Sequence, residues 1–454
     1  MVLINAILNI KVMGKECVLS KYVFIFRMSD GTNLVYNSLT NSFLEVGDDV
    51  YNVLNDNDTM PAALQSLSND DLRILQENKI IVGVGEDDAF LNEHQYETNV
   101  ADYNSEYLFL TLVPTLSCNC SCNYCFEKSK NGGVMSSQTI DALMSFVNTH
   151  QRVKGIHIVW FGGEPLLAFG TIKDIIYKFE QNVNVPIISQ SMVTNGFLFD
   201  KKMEKFFSEY PLNTIQITLE GGKKRHDIIR KLNNGSPTFD KIIDNVGRLL
   251  SVFQETQINI RVNIEKENIE DYYILSDILL TKWKTPNLHV YPGFLFIDDD
   301  NKRKLSCRVY SGNEKSRVLL DIKQKYAPEE LFPRLSNTAG CTATMTNAYI
   351  IGPEGEIYKC WKDVGDKDKI VGSIVSGKMT NAPLYYRYMQ ESKWYNRQEC
   401  KECSLLPVCD GGCANDYLRT KHDCFQMDTC AHVLRSPQML HSYLEAYYKH
   451  LKMK

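Results

Sequence analysis

Between Glu106 and about Asp300, strand-like and helix-like segments alternate, and this alternation restricts the fold more than any other feature of the chain. Apolar runs at 107–113, 156–161, 187–193, 214–219, 257–264 and 288–296 read as strands. Periodic runs at 171–181, 201–209, 238–253 and 269–280 read as helices between them. Strands joined by crossover helices run parallel, so the region predicts a parallel sheet, either a barrel or a doubly wound sheet. In parallel α/β folds, reactive groups collect in the loops beyond the C-terminal ends of the strands.

Just beyond the first strand stands Cys118-x3-Cys122-x2-Cys125. Three thiolates are one short of a complete shell, so an iron–sulfur cube held this way keeps one iron open to a reactant. The same spacing suits a zinc knuckle or a group of buried thiols, and spacing alone does not choose between them. Cys120 lies inside the motif but outside its x3/x2 pattern, and both it and Cys17 read as plain thiols.

The chain has 454 residues and 14 cysteines, too few for a disulfide scaffold and in a chain too long to need one. The apolar N-terminus, Met1 to Val12, has no basic leader or clear cleavage site, so it reads as a strand rather than a signal peptide. Clustered cysteines in the reducing cytoplasm usually hold metal. No apolar run reaches the ~20 residues that cross a bilayer. A net charge of −5 with scattered Lys and Arg gives no footprint for a nucleic-acid backbone.

Other motifs end the later strands: Gly162-Gly163-Glu164-Pro165, Thr194-Asn195-Gly196 and Thr218 to Gly221. Paired glycines let backbone approach a ligand closely, and Glu164 is placed to meet a ligand ammonium. In order, the cysteine trio with Tyr124, the Gly162–Pro165 turn, Thr194–Gly196, His226 to Arg230 with Phe239, and Arg261 to Asn263 resemble the radical S-adenosylmethionine (SAM) superfamily. The resemblance covers most of 106–300. It implies a partial (β/α)6 barrel whose cluster, on Cys118, Cys122 and Cys125, binds SAM through its open iron. It further implies that Gly163 and Glu164 meet the SAM amino group, with Gly162, Pro165 and Tyr124 in the same site. Thr194 and Asn195 would meet the ribose region and Arg261 the carboxylate. Glu220 stands where related enzymes commonly carry Asp, which leaves its role open.

The later cysteines, Cys341-x13-Gly355-x4-Cys360 and Cys400-x2-Cys403-x5-Cys409-x3-Cys413, with Cys430 beyond, resemble the SPASM domain; a zinc ribbon on Cys400, Cys403, Cys409 and Cys413 is the alternative. The resemblance implies two auxiliary 4Fe–4S clusters, one on Cys341, Cys360 and Cys413 and one on Cys400, Cys403, Cys409 and Cys430. Some relatives carry a further cysteine where this chain has Asn347, so the first auxiliary cluster would have an open iron or recruit Cys307 or Cys424.

Residues 1–95 read as strands followed by helices, with strands at 21–27, 32–36 and 80–84 and helices at 48–54, 61–67 and 69–77. The pattern suggests a winged-helix-like α+β domain and resembles the leader-recognition domains of ribosomal-peptide maturases, which add a peptide to a sheet edge. The acidic stretch 86–105 reads as linker, making 96–105 the break before the radical SAM core at 106–300. A SPASM segment at 301–435 and a closing helix within 436–454 complete the chain. The expected function is a peptide maturase that installs a thioether, carbon–carbon or carbon–oxygen cross-link in a leader-bearing precursor. It would draw electrons from a flavodoxin or ferredoxin. Two alternatives are formylglycine formation of the sulfatase-maturing type and a non-catalytic iron–sulfur scaffold. Sulfatase-maturing relatives carry Asp directly after the second SPASM cysteine, where this chain has Trp361.

Overall fold

The computed structural model describes residues 10–12, 15–56, 63–122, 124–125, 133–295, 308–336, 340–409, 411–423, 427–430 and 433–454. Of residues 10–12, 15 and 16 only the backbone is described. The chain forms two compact units, Met1–Ala101 with Ser311–Gly340 and Lys393–Lys454, and Asp102–Tyr310 with Cys341–Ser392.

The first unit holds two antiparallel sheets. β1 (Ile10–Val12), β2 (Lys15–Leu19) and β6 (Ile81–Gly83) form one, and β3 (Val23–Arg27), β4 (Asn33–Asn37) and β5 (Ser42–Val46) form the other. Alternation along the second sheet sends Val23, Ile25, Val35 and Leu44 toward helices Asp48–Asn55 and Asn69–Glu77. Phe24, Phe26, Tyr36 and Phe43 point the other way and pack with Met439, Leu440 and Tyr443 of helix Pro437–Lys452. Both faces are therefore covered, while among the described residues β3 and β5 each pair on one side only.

Two expectations need correction here. β5 was missing from the expected strands, and the expected linker from residue 86 is the helix Glu86–Asp102. Glu86, Asp87 and Asp88 in its first turn complement the positive end of the helix dipole. Its inner face is held by side chains distant in sequence. His94 lies between the Phe90 and Trp394 rings, and Thr98 accepts the Trp394 indole N–H at 3.1 Å.

The second unit is built on a ten-stranded sheet. Six strands lie in sequence order and run parallel: β7 (Tyr107–Leu112), β8 (Gly155–Trp160), β9 (Ile187–Thr194), β10 (Thr214–Leu219), β11 (Gln257–Ile264) and β12 (Leu288–Phe294). Crossover helices connect them, giving a partial barrel. Ile215, Ile217 and Leu219 are fully buried, as are Ile258, Ile260 and Val262 on the next strand. The alternating positions form the other, more polar face, where the Tyr291 hydroxyl donates to Gln216 at 2.7 Å. Helix Ser137–Asn148, capped by the Ser136 hydroxyl, was not among the sequence expectations.

The cysteine-rich part extends this same sheet. β13 (Ala348–Ile351) pairs parallel with β7, and β14 (Glu356–Tyr358), β15 (Gly372–Ser373) and β16 (Lys378–Met379) continue antiparallel. Residues 301–435 thus contribute to both units. Among the described residues, no helix is long and apolar enough to cross a membrane.

Candidate active site

The C-terminal ends of β7 to β11 bring the expected motif residues to one edge of the barrel. Past β7 the chain turns through Thr115, paired with Val134, and Cys120, paired with Leu232. The Asn233 side chain donates to the Cys118 carbonyl at 2.9 Å, which ties the cysteine loop to the segment after β10. Cys118 and Cys122 are half-buried and Cys125 is exposed. The Cys120 amide points at the Cys118 sulfur at 3.4 Å, a donor that stabilises a thiolate or a bound sulfur. Cys120 itself is fully buried, and its hydrogen bond to Cys118, together with burial, pushes its thiol up.

The Gly162–Pro165 turn is packed directly onto this loop. Gly162 has a φ of +122°, open to glycine but strained for other residues. A Cβ on Gly163 would stand 2.7 Å from the Leu116 carbonyl carbon and closer still to the carbonyl oxygens of Leu116 and Ser117. The Glu164 amide donates to the Ser117 carbonyl at 2.9 Å. Its carboxylate is fully buried and accepts from Leu166 N at 3.1 Å, Thr194 Oγ1 at 2.8 Å and Asn195 N at 2.7 Å. Burial pushes this carboxyl up to about 7, against those hydrogen bonds, which favour the charged form. Glu164 thus holds the end of β9 against the end of β8, a role that spacing alone could not reveal. Pro165 opens the short turn that follows.

Asn195 donates to the Asn119 side-chain oxygen at 2.7 Å, while the Asn119 amide nitrogen is buried with no hydrogen-bond partner. Arg261, on β11, has its buried Nε without a partner. Its side chain lies across Gly293 of β12, where a Cβ would crowd it. These two orphaned donors, on Arg261 at an expected SAM position and on Asn119 of the cysteine loop, suit a ligand rich in carboxylate and hydroxyl oxygen. The cysteine trio supplies the thiols a cluster needs, and both donor sets fit the groups that the sequence implies.

A buried polar network fills the space beside Tyr124. Arg230 donates from Nε to Glu220 at 3.0 Å and from Nη2 to Tyr124 at 2.7 Å, and Asn263 Nδ2 reaches the Tyr124 oxygen at 3.1 Å. The Tyr124 hydroxyl donates to Glu220. Burial raises the Tyr124 phenol well above its usual range, so it remains a donor.

Of the auxiliary cysteines, Cys341 and Cys360 flank the β13–β14 hairpin in the second unit. Asn347 is buried, with its carbonyl accepting from Phe109 N at 2.9 Å, so that position anchors β13 to β7. Cys413 belongs to the first unit, as do Cys400, Cys403, Cys409 and Cys430. The last four lie close enough for their charges to interact. Amides of Leu405 and Gly411 point at the Cys403 and Cys409 sulfurs, each at 3.4 Å. Burial pushes the Cys409 thiol up to about 12, so a thiolate there requires a cation. Among the described residues, no three side chains of His, Cys, Asp or Glu stand at metal-holding distance. Cys307 and Cys424 lie outside the described residues.

Residues 112–277 match the radical SAM superfamily. The chain is 24% identical over 351 residues to a cysteine-type anaerobic sulfatase-maturating enzyme of Clostridium perfringens, covering 67% of this chain and 88% of that one. It is also 24% identical over 448 residues to the radical SAM cyclopropyl synthase TigE of Paramaledivibacter caminithermalis, covering 88% and 90%. In fold it resembles anSMEcpe with bound AdoMet and a Cp18Cys peptide, at a TM-score of 0.56 and 18% identity over 76% of this chain and 98% of that one. It also resembles Streptococcus suis SuiB bound to precursor peptide SuiA, at 0.51 and 16% over 92% and 100%. The motif loops at the strand ends and most of the partial barrel fall in the segment 112–277 that matches the radical SAM superfamily, a radical SAM domain with SAM and a 4Fe–4S cluster as its cofactors.

Proposed function

We propose that the chain is a maturase that installs a cross-link in a ribosomally made, leader-bearing peptide. One observation carries this reading: the radical SAM barrel shares its chain with a sheet whose β3 and β5 have no outer strand partner among the described residues, although both faces are covered. An extended peptide adds to such an edge by backbone hydrogen bonds, which suits a leader of variable sequence. The similarity to structures with bound Cp18Cys and SuiA peptides supports a peptide substrate.

In this reading Cys118, Cys122 and Cys125 hold the cluster that binds SAM, and together they supply a 5′-deoxyadenosyl radical able to take hydrogen from an unactivated carbon. Gly163 lets the turn pack directly on the cysteine loop, and Thr194 and Asn195, fixed by Glu164, present the end of β9 to a ligand. Arg261 offers its orphaned Nε to a carboxylate. Cys400, Cys403, Cys409 and Cys430 hold one auxiliary 4Fe–4S cluster, and Cys341 and Cys360 contribute ligands to a second. The segmentation into 1–95, 106–300 and 301–435 describes these roles along the chain. A flavodoxin or ferredoxin supplies electrons.

Formylglycine formation is the competing reading. Against it, Trp361 packs on the Phe161 ring with its indole N–H on Thr111 at 3.1 Å, and Asp363 is buried against the Tyr388 hydroxyl at 2.6 Å. Neither residue presents a free base. The test is anaerobic incubation with SAM, dithionite and a synthetic peptide encoded beside the gene. A peptide mass lower by two hydrogens with no aldehyde trapped by a hydrazide probe supports cross-linking, whereas an aldehyde formed from Cys or Ser would replace it with the competing reading.

A further inference from the structure

Glu220 is the residue for which the sequence offered no role, and the structure surrounds it with partners. It follows β10 directly, is almost fully buried, and faces the cysteine loop from across the barrel edge. One carboxylate oxygen receives the Tyr124 hydroxyl as well as Nε and Nη2 of Arg230 at 3.0 and 2.9 Å. Asn263, at the end of β11, spans both carboxylate oxygens at 3.3 Å and reaches the Tyr124 oxygen. The backbone of Glu220 is fixed too. Its amide donates to His226 Nδ1 at 3.4 Å, and its carbonyl accepts from Asn268 at 3.3 Å. His226 Nε2 then donates to Thr238 at 3.0 Å, and Thr238 donates to the Arg230 carbonyl at 2.5 Å. Every partner is therefore held in turn by another member of the network.

We infer that Glu220 is a positioning residue for the radical SAM cluster, with its carboxylate anchoring the Tyr124 hydroxyl and so fixing the loop segment that carries Cys122 and Cys125. The side chain length is what makes this possible. An Asp at the same position would fall short by about 1.5 Å, one carbon–carbon bond, and would leave the tyrosine hydroxyl without its acceptor. Tyr124 and Glu220 are thus a matched pair. Arg230 pairs its guanidinium with the buried carboxylate, and Asn263 fixes its orientation. Through this pair the end of β10 sets the geometry of two of the three cluster thiols without touching the sulfurs. The inference rests on the reading of Cys118, Cys122 and Cys125 as cluster ligands.

The test uses the full-length, reconstituted enzyme under anaerobic conditions and the variants E220D, Y124F and E220D/Y124F, with C122A as reference. The readouts are the electron paramagnetic resonance signal of the reduced cluster that responds to added SAM, and the SAM affinity measured from that response, both without peptide. Circular dichroism and iron content establish that each variant is folded and loaded. E220D and Y124F are each expected to alter that signal and weaken SAM binding about tenfold, the scale of one hydrogen bond to a charged group. The double variant is expected to be no worse than either single one, because both remove the same interaction. An E220D enzyme that is loaded and gives the unaltered signal and affinity overturns the inference, as does a double variant whose losses multiply. If E220D slows only peptide turnover, Glu220 acts on the substrate and the inference is likewise overturned. Should E220D fail to fold, Y124F decides, since it keeps the Glu220–Arg230 pair intact. Retention of the SAM-responsive signal by C122A would instead remove the assignment of the cysteine trio.

Discussion

Replacing Gly163 with Ala tests how closely the Gly162–Pro165 turn is packed on the cysteine loop. The added methyl would lie 2.7 Å from the Leu116 carbonyl carbon and nearer to two carbonyl oxygens, all backbone atoms that no side-chain rotation can move aside. Loop and turn must separate by several tenths of an ångström. That separation strains the bonds from Gly163 N to Thr115 at 3.3 Å and from Glu164 N to Ser117 at 2.9 Å. Overpacking costs about 1–3 kcal/mol and each of the two weakened hydrogen bonds up to about 1 kcal/mol, so a total of about 1–5 kcal/mol is expected. Since a 1 Å misplacement can cost on the order of 10²-fold in rate, half that shift should cost about tenfold. The assays are chemical denaturation and the initial rate of 5′-deoxyadenosine formation. Gly170→Ala is the control: a Cβ there meets nothing within 4 Å, and helix propensity favours Ala by up to about 1 kcal/mol. A Gly163→Ala enzyme as stable and as fast as the Gly170→Ala control would refute the close-packing argument.

Three further outcomes are expected. His226 is fully buried and held to about 3, against an ordinary 6.5, by burial and by the nearby Arg230 charge. The unfolded chain therefore binds a proton that the folded one refuses. This contribution to stability is complete above about pH 6.5 and is lost between there and pH 3, with a limiting slope of about 1.4 kcal/mol per pH unit. His226→Gln should flatten that acid limb in urea titrations, and an unchanged slope would remove His226 as its source. Lys359→Met deletes a fully buried ammonium that donates to the Met345 and Ala348 carbonyls at 2.7 and 2.8 Å. A loss of about 2–4 kcal/mol in chemical denaturation is expected, and a neutral result would contradict the role given to those bonds. Stripping iron with a chelator should speed amide exchange in residues 33–46, because Cys403, Tyr36 and Phe43 belong to one apolar cluster. Exchange that stays the same would separate the cysteine site from that sheet.

Most of the barrel was legible because its strands are buried on the helix side, and long β-branched runs such as Ile258, Ile260 and Val262 mark such strands in any context. The helices between them announce themselves by amphipathic period. Helix Glu86–Asp102 was hidden because its polar composition resembles a linker, and its order comes from Trp394, nearly three hundred residues away. β5 became a strand only by pairing with β4, and β13 only by pairing with β7. Short segments of this kind take their conformation from a neighbour, which no local pattern records.

The site divides in the same way. The cysteine spacings, the paired glycines and the residue types at the strand ends are local properties, so the chemistry of a SAM-binding cluster could be read from the chain alone. What each polar residue does there was decided by folding. Glu164 turned inward to hold Thr194 and Asn195, Asn347 anchored a strand, and Glu220 reached across the barrel edge to Tyr124. Ligand spacing is written within one loop, whereas a hydrogen bond between loops 96 residues apart exists only once the strands between them have set its length.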